Sequence, residues 1–374
     1  MHRVLAAYLA VAPIAVAFAD APQPPAVDAR AWLLIDASNG QPIASRNPDQ
    51  RIEPASLTKL MTAYVAFAAL KSNALALSQR VPVSERAWRA GGSRMFIEPR
   101  KPVTVEELLH GMVVQSGNDA CIALAEAVAG SEEAFAERMN REAQRLGMKN
   151  THFTNSSGLP EAAHYSTASD LALLAGALIR DYPEYYKLYS EREYRYNNIT
   201  QQNRNRLLWL DPNVDGLKTG YTESAGYCLI ASAKRGPRRL LSVVLGAGSD
   251  RLRAQDSQTL LNFGFLSYDG VRLFEKGQPI STLSVWKGRS PALKAGPATD
   301  LFVTVPKGTA DKLKAELVSQ QPLLAPLAAG QRVGTLRVLY EDKSLAEYPV
   351  VALEGVAAAG FFGRAWDSVR LWFR

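Results

Sequence analysis

Residues 54–70 read PASLTKLMTAYVAFAAL, and this segment decides how the first folded unit is organised. Apolar side chains occupy nearly every position from Ser56 to Leu70, so no continuous polar face is left for solvent. A helix that is apolar on all sides belongs in the interior of a domain. Pro54 suits the start of such a helix, because the first turn leaves its N–H groups unpaired and proline has none. The segment therefore predicts a buried central helix.

Strand-like runs flank this segment on both sides. Residues 31–36 and 42–46 precede it, and Ser38-Asn39-Gly40 between them is a hairpin signal. Residues 227–233 and 240–245 follow it and are rich in Val, Ile, Leu and Tyr. Helical patterns fill the middle, at residues 105–114, 119–128, 132–146 and 169–179. Strands from both ends around a helical middle predict an α+β domain, an antiparallel sheet packed by helices, spanning residues 27–268.

The sequence changes character from about Val271. Short alternating runs at 281–286, 301–305 and 333–340 are separated by Gly, Pro and Asp turns. This pattern predicts a small all-β domain over residues 271–353.

The first residues indicate export. Residues 1–19 contain Arg3, an apolar run and the small-x-small ending Ala17-Phe18-Ala19, which predicts a signal peptide cleaved before Asp20. An uncleaved anchor is the alternative. The chain has two cysteines, Cys121 and Cys228, each in an apolar run. We interpret both as small buried side chains, and leave a bridge between them open.

The last segment, residues 356–374, predicts an amphipathic helix. One face of this helix carries apolar side chains and the other carries charges; only Leu371 does not fit the pattern. The apolar face consists of Phe362, Ala365, Trp366, Val369, Trp372 and Phe373. The charged face consists of Arg364, Asp367, Arg370 and Arg374. Aromatic rings opposite basic groups are typical of a helix that lies in a membrane surface. The alternative is a terminal helix docked on its own domain.

The distribution of charge and the few histidines indicate which partners and cofactors are not expected. The net charge is +7, but the basic residues are spread out rather than clustered with aromatics, so nucleic acid is not an expected partner. No His-Glu-x-x-His motif occurs, and only His110, His152 and His164 follow the signal. We therefore expect no metal centre and no cofactor.

Ser56 and Lys59 form a Ser-x-x-Lys pair at the start of the central helix. The i, i+3 spacing places both side chains on one helical face. A lysine in an apolar environment can have its pKa lowered enough to take a serine proton. A second Ser-x-x-Lys, Ser284 and Lys287, falls in a strand-like run where the two side chains point to opposite faces, so we discard it.

Two further motifs follow Ser56 along the chain. Ser116-Gly117-Asn118 lies between two helical patterns, where its hydroxyl and amide could move a proton or hold a substrate amide. Its alternative role is a helix cap. Lys218-Thr219-Gly220 then opens the second group of strands and is followed by Tyr221. Glycine in a strand lets another backbone approach, which suggests a substrate peptide at the sheet edge.

Together, in this order, the three motifs resemble the signature set of the penicillin-recognising serine enzymes. The longer stretches are similar to the low-molecular-mass penicillin-binding proteins, the D-Ala-D-Ala carboxypeptidases; they are residues 54–62, 214–220, 225–227 and 360–364. The resemblance covers essentially the whole chain after the signal. It implies removal of the terminal D-alanine from peptidoglycan stem peptides, acylation by β-lactams, and a place at the periplasmic face of the inner membrane.

The resemblance also implies roles for individual residues. Ser56 would be the nucleophile and Lys59 its base, with Ser116 and Asn118 aiding proton transfer and substrate positioning. Lys218, Thr219 and Gly220 would lie near the substrate carboxylate. The N–H groups of Ser56 and Tyr221 would form the oxyanion hole. Arg204 and Arg253 would hold the terminal carboxylate, to which a guanidinium is suited. A surface arginine is the alternative for Arg253.

One position departs from the family pattern. Many relatives carry His-Gly-Leu in the loop lining the site, where this chain has Ser157-Gly158-Leu159, which affects the expected rate of deacylation. His164 and Asp170 lie nearby, and we expect Asp170 to form a capping box with Thr167.

Other functions share parts of this pattern. A class A β-lactamase would carry a Glu-x-x-x-Asn loop, which is absent between Gly147 and Asp170. A peptidoglycan endopeptidase and a non-catalytic wall-binding protein remain as alternatives.

Overall fold

The computed structural model describes residues 22–372 and divides into two compact units, residues 23–266 and a unit that begins at Ser267. The predicted signal peptide, residues 1–19, lies outside the described residues. Within residues 22–372, none of the helices combines the length and the apolar character needed to cross a bilayer.

The first unit is built on a five-stranded sheet in the order β2-β1-β9-β8-β7, with every neighbouring pair antiparallel. The strands of this unit are β1 Ala31–Asp36, β2 Gln41–Arg46, β3 Arg80–Val81, β4 Val103–Thr104, β5 Glu193–Tyr196, β6 Ile199–Gln202, β7 Val214–Thr222, β8 Gly226–Arg235 and β9 Arg238–Ala247. Two strands from before the helical region thus pair with three from after it, which confirms the predicted α+β fold.

The helices lie mainly between the two groups of strands. They are α1 Lys59–Lys71, α2 Glu85–Trp88, α3 Val105–Val114, α4 Asn118–Ala129, α5 Glu132–Leu146, α6 Ala168–Asp181, α7 Pro183–Tyr186, α8 Leu207–Leu210 and α9 Asp250–Ser267. Single 3₁₀ turns at Ala55–Thr58 and Lys187–Ser190 precede α1 and follow α7. Helix α1 is buried around its circumference, as its apolar sequence predicts, and Leu60, Tyr64 and Phe67 are almost inaccessible to solvent.

Both faces of the sheet are covered. In β1, Leu33 and Ile35 join the core that includes α1, whereas Trp32 and Leu34 face Leu261 of α9 in a separate core. All six residues of β1 are therefore buried. Helix α9 is not predicted by the sequence pattern, although Ser249 caps it by accepting a hydrogen bond from Leu252 N–H.

Gly264 explains why α9 can lie directly on the sheet. A Cβ atom at this position would stand 2.6 Å from Leu240 Cδ1 and 3.0 Å from Leu34 Cδ2. The close approach needs glycine, and glycine is also what weakens the helical signal in the sequence.

The second unit is an all-β domain. Its strands are β10 Tyr268–Phe274, β11 Ser281–Trp286, β12 Ala292–Pro297, β13 Leu301–Pro306, β14 Leu313–Ser319, β15 Leu323–Leu324, β16 Arg332–Tyr340 and β17 Lys343–Ala352. Six of them form a sheet in the order β14-β16-β17-β12-β11-β15, while β10 pairs with β13. A 3₁₀ turn, Ala310–Lys312, precedes β14. Leu293, Val303 and Val338 are fully buried in its core.

The unit ends in helix α10, Phe361–Trp372. Its inward side holds the helix to the β domain: Lys287 N–H donates to Asp367 Oδ2 at 2.6 Å, and the Arg370 guanidinium lies 5.5 Å from the Trp286 ring. Leu371 lies one turn after Asp367 and is half-buried. This residue, which did not fit the amphipathic pattern of the sequence, therefore belongs to the inward side of the helix.

The outward side of α10 carries the aromatic residues. Phe362 and Trp372 are 87% and 88% exposed, and Trp366 is 67% exposed. Phe373 and Arg374, which the sequence pattern placed on opposite faces, lie outside the described residues. The helix is therefore docked by its polar side and exposes its apolar side.

Candidate active site

A cleft of about 1220 Å³ in the first unit collects the residues that the motifs predict. Those that line it are Ser56, Ser116, Asn118, Arg204, Thr219, Gly220, Tyr221 and Arg253. Lys59 and Lys218 are buried and hydrogen-bond to Ser56 and Ser116. The structure thus brings together every site residue that the sequence proposes.

Ser56 lies on the 3₁₀ turn that leads into α1 and is only half-buried. Ala55 before it has a φ of 47°, in the left-handed region that a residue with a Cβ adopts at a cost. Leu57 N–H donates to Pro54 O at 3.0 Å and closes the turn. The turn directs the Ser56 side chain toward the cleft, while Ala55 and Leu57 on either side of it are buried.

Lys59 is surrounded by three oxygen atoms. Its Nζ lies 3.0 Å from Ser56 Oγ, 2.7 Å from Asn118 Oδ1 and 2.6 Å from Ser157 O. The lysine is 1% exposed, and this burial lowers its pKa because the charged form loses its hydration. A neutral amine has two hydrogens and one lone pair. Since both carbonyl oxygens can only accept, the neutral form of Lys59 would direct its two hydrogens to them and its lone pair to the Ser56 hydroxyl.

Ser116 has the second buried lysine as its partner. Lys218 Nζ lies 3.0 Å from Ser116 Oγ and 3.1 Å from Thr219 O. Burial lowers the pKa of Lys218 well below its usual value, and the charge of Lys59 lowers it further. Ser116 itself has a φ of 60°, which directs its side chain to the cleft rather than along the helix.

The helix-cap interpretation of the Ser-Gly-Asn motif is wrong. Gly117 is the N-cap of α4, and no side chain makes a cap hydrogen bond there. Asn118 instead accepts from Lys59 through Oδ1 and donates from Nδ2 to Gly91 O at 2.7 Å. Both polar ends of the amide are thereby fixed, which sets its orientation.

Gly220 allows a close approach, but of a different backbone from the one expected. A Cβ atom here would stand 3.1 Å from Pro54 O and 3.3 Å from the Ala55 side chain. The glycine therefore lets β7 lie against the turn that carries Ser56. Because β7 is the outermost strand of the sheet, its other edge is available at the cleft, where Tyr221 is half-exposed.

Arg253 is buried, not a surface residue. It is 6% exposed, donates to Gly220 O at 3.0 Å, and pairs with Asp250. Burial lowers its pKa. The surface-arginine alternative is therefore wrong, and the guanidinium is fixed between β7 and α9.

Arg204 is exposed, but its backbone is held by buried neighbours. Asn203 Oδ1 accepts from Asn205 N–H at 3.0 Å, and Asn205 Nδ2 donates to Gly216 O at 3.1 Å. The two asparagines anchor the segment, so the arginine between them projects into the cleft.

The loop of residues 154–159 belongs to the site, and its contacts could not be predicted from the motifs. Asn155 Oδ1 accepts from Gly158 N–H at 2.7 Å, and Glu132 Oε1 accepts from Ser156 Oγ at 2.6 Å. These contacts fix the Ser157 carbonyl that meets Lys59. The sequence Asn155-Ser156-Ser157-Gly158 carried the signal, since Asn commonly hydrogen-bonds to the backbone that follows it.

The predicted capping box at α6 is only half present. Thr167 caps the helix by accepting from Asp170 N–H at 3.1 Å. The Asp170 carboxylate does not return to Thr167 but accepts from Asn150 N–H and Thr151 Oγ1, both at 2.7 Å. Asp170 therefore ties α6 to the start of the loop region.

The two cysteines are free thiols, and both are buried. Burial raises the pKa of Cys121 to about 12 and that of Cys228 to about 11. Their interpretation as small buried side chains is confirmed.

Comparison with known proteins identifies the family. The D-alanyl-D-alanine carboxypeptidase (peptidase S11) profile matches residues 18–249, and the profile of the penicillin-binding protein 5 C-terminal domain matches residues 268–358. The chain belongs to the D-alanyl-D-alanine carboxypeptidase family. Family membership confirms the resemblance stated from the motifs and makes the chain a serine-type peptidase.

Individual relatives match this carboxypeptidase over nearly the full length of both chains. D-alanyl-D-alanine carboxypeptidase DacC of Escherichia coli K12 is 45% identical over 370 residues, which cover 97% of this chain and 92% of the relative. The crystal structure of penicillin binding protein 5 from Haemophilus influenzae has a TM-score of 0.86 at 40% identity and covers 90% of this chain and 99% of that one.

A third similar structure contains a β-lactam. It is penicillin-binding protein D2 from Listeria monocytogenes in its ampicillin-bound form, 33% identical, with a TM-score of 0.59, covering 64% of this chain and 98% of that one. The family profile and the relatives that match over nearly the full length support the carboxypeptidase function over the endopeptidase and the non-catalytic alternatives.

Proposed function

We propose that this chain removes the terminal D-alanine from peptidoglycan stem pentapeptides through an acyl-enzyme on Ser56. The observation that carries the proposal is the position of the Lys59 amine, 3.0 Å from Ser56 Oγ and hydrogen-bonded to two carbonyl oxygens on its other sides. That arrangement supplies a general base to an otherwise weak nucleophile.

The first step forms an ester. Lys59 takes the Ser56 proton as Oγ attacks the carbonyl carbon of the penultimate D-alanine. The oxyanion accepts hydrogen bonds from the N–H groups of Ser56 and Tyr221. The C–N bond then breaks, and the leaving amine takes the proton that Lys59 holds, either directly or relayed through the Ser116 hydroxyl, which Lys218 contacts at 3.0 Å. Free D-alanine departs.

The second step releases the shortened peptide. Water gives a proton to Lys59 and attacks the ester carbonyl, and Ser56 recovers its proton as the bond to Oγ breaks. A β-lactam enters the same first step, but its ring-opened leaving group remains attached to the acyl chain and hinders the approach of water.

The carboxylate of the terminal D-alanine would lie on the basic side of the cleft. Arg204 and Thr219 line the cleft together with Arg253, and Lys218 is adjacent. Asn118 lines the cleft and would hold the amide of the preceding residue, since only one of the two Nδ2 hydrogens is needed for the bond to Gly91 O. This selects peptides that end in a free carboxylate.

We further propose that the protein is exported and held at the periplasmic face of the inner membrane by α10. The support is the exposed row of Phe362, Trp366 and Trp372 opposite the docked side of the helix. Aromatic side chains of this kind partition into the interface between headgroups and acyl chains. The signal at residues 1–19 would direct the export.

The test is the release of free D-alanine from a pentapeptide ending in D-Ala-D-Ala, compared with cleavage of a crosslinked peptide dimer. The carboxypeptidase proposal requires D-alanine from the pentapeptide, and requires its loss in Ser56→Ala but not in Ser45→Ala, which changes an exposed serine on β2. Cleavage of the dimer without release from the pentapeptide would instead identify an endopeptidase.

A further inference from the structure

His164 is a buried histidine with no part in the mechanism above. It is 2% exposed and lies beyond the loop of residues 154–159. Its Nδ1 accepts a hydrogen bond from Thr154 N–H at 3.1 Å, and its Nε2 lies 2.8 Å from Thr58 Oγ1. A backbone amide can only donate, so Nδ1 carries no proton. The neutral ring is therefore protonated at Nε2, which donates to the Thr58 hydroxyl.

The two partners of His164 belong to the two segments that must meet at Lys59. Thr58 lies between Ser56 and Lys59, at the end of the 3₁₀ turn that carries the nucleophile. Thr154 begins the loop whose Ser157 carbonyl accepts from Lys59 Nζ at 2.6 Å. The His164 imidazole thus joins the turn that leads into Lys59 to the loop whose Ser157 carbonyl orients the Lys59 amine.

Gly158 shows how tightly these segments are packed. A Cβ atom there would stand 1.8 Å from Ala55 O and 2.8 Å from Thr58 Oγ1. Glycine therefore lets the loop lie directly against the turn, and His164 bridges the two beside this contact.

We propose that His164 is a positioning residue for the carboxypeptidase reaction: by joining Thr154 to Thr58 it holds the Ser157 carbonyl against Lys59, so that the amine lone pair faces Ser56. The inference rests on the proposed role of Lys59 as the base. His164 acts through the loop and the turn, without contact with the substrate.

The surroundings of His164 keep the ring neutral. The pKa of His164 is lowered to about 4, chiefly because burial disfavours the charged ring. The ring also packs edge-on against Phe153, with the ring centroids 5.7 Å apart. The bridge is therefore complete at neutral pH.

The test compares His164→Gln with His164→Leu. A glutamine side chain offers an acceptor and an N–H donor, as the neutral imidazole does, whereas leucine offers neither. With a fluorescent penicillin, we expect the acylation rate constant to fall about tenfold or more in His164→Leu and to recover to within about threefold of wild type in His164→Gln. Thermal melting of each variant reports its folding separately.

Thr58→Val removes the other end of the bridge and keeps the side-chain volume. It should reduce acylation about as much as His164→Leu does, and the double variant should be little worse than either single one, because both break the same link. If His164→Leu does not fold, Thr58→Val and His164→Gln still carry the comparison.

Two results would overturn the proposal. One is acylation of Thr58→Val at the wild-type rate. The other is an equal loss in the glutamine and leucine variants that follows their melting temperatures, which would make the histidine a packing residue only. Failure of the wild-type protein to be acylated at all would instead contradict the proposed role of Ser56.

Discussion

The Lys59 Nζ atom lies 3.0 Å from the Ser56 Oγ atom, on a side chain that is 1% exposed. Two carbonyl oxygens, from Asn118 and Ser157, take up the hydrogens of the amine. The pair is therefore preset for transfer of the serine proton before any substrate binds, since neither side chain has to move.

Acylation of Ser56 should depend on pH through Lys59. Burial lowers the pKa of this lysine, and only the unprotonated amine can act as a base. The acylation rate should rise with pH and level off above the lowered pKa, at a pH below the usual 10.5 for lysine. Lys59→Arg stays protonated and should lose about 10²–10⁴-fold in rate at every pH. Stopped-flow acylation across pH checks this, with Lys71→Arg as control. A rate independent of pH would contradict the base assignment.

Arg204 should discriminate between peptides with a free and a blocked carboxylate. Arg204→Ala should lower kcat/KM about 10–100-fold for a peptide ending in D-Ala-D-Ala, because a hydrogen bond to a charged group is lost. The same change should have little effect on the matching C-terminal amide. Arg206→Ala is the control, since Arg206 also lines the cleft but pairs with Asp250 at 3.4 Å. Equal losses for acid and amide would assign Arg204 another role.

Gly158→Ala should damage both stability and acylation. The residue has a φ of 84°, and the added methyl would meet Ala55 O at 1.8 Å. We expect a loss of about 3 kcal/mol or more in the free energy of unfolding, from backbone strain and overpacking together. Gly147→Ala is the matched control, because its φ is 81° but no atom lies within 4 Å. Denaturant titration should find a loss of about 1 kcal/mol there. Similar losses at both positions would show that the contact with Ala55 is unimportant.

The aromatic side of α10 should bind anionic vesicles. Trp366→Asp and Trp372→Asp should each reduce binding to phosphatidylglycerol vesicles at least about tenfold, since each removes a large apolar group from the interface. Ser368→Asp adds the same charge to the same helix without removing a ring, and should have a smaller effect. Vesicle co-sedimentation of the full chain measures this. Equal loss in all three would indicate attraction by charge alone.

The sequence predicts the fold where one strong pattern dominates. Helix α1 is recognisable because it is apolar all round, and β1 because its six residues suit a strand buried on both faces. Helix α9 was missed because Gly264 and scattered polar residues obscure its periodicity, and only the sheet that it covers requires the glycine. Local patterns cannot show such a long-range contact.

The residues of the site were predictable from the motifs, whereas the contacts between them were not. The order of the three motifs identifies Ser56, Lys59 and Ser116. It could not show that the Ser157 carbonyl and the Asn118 amide surround the base, because those contacts join residues that are far apart along the chain. Glu132 and Asn155, which fix the loop, look like ordinary polar residues in the sequence.

The most direct test of Ser56 as the nucleophile is the intact mass of the purified protein after treatment with penicillin, followed by mapping of the modified peptide. We expect one added penicillin mass, carried by the peptide that contains Ser56 and absent from Ser56→Ala. An adduct that persists in Ser56→Ala, or no adduct on the wild-type protein, would contradict the assignment of Ser56 as the nucleophile.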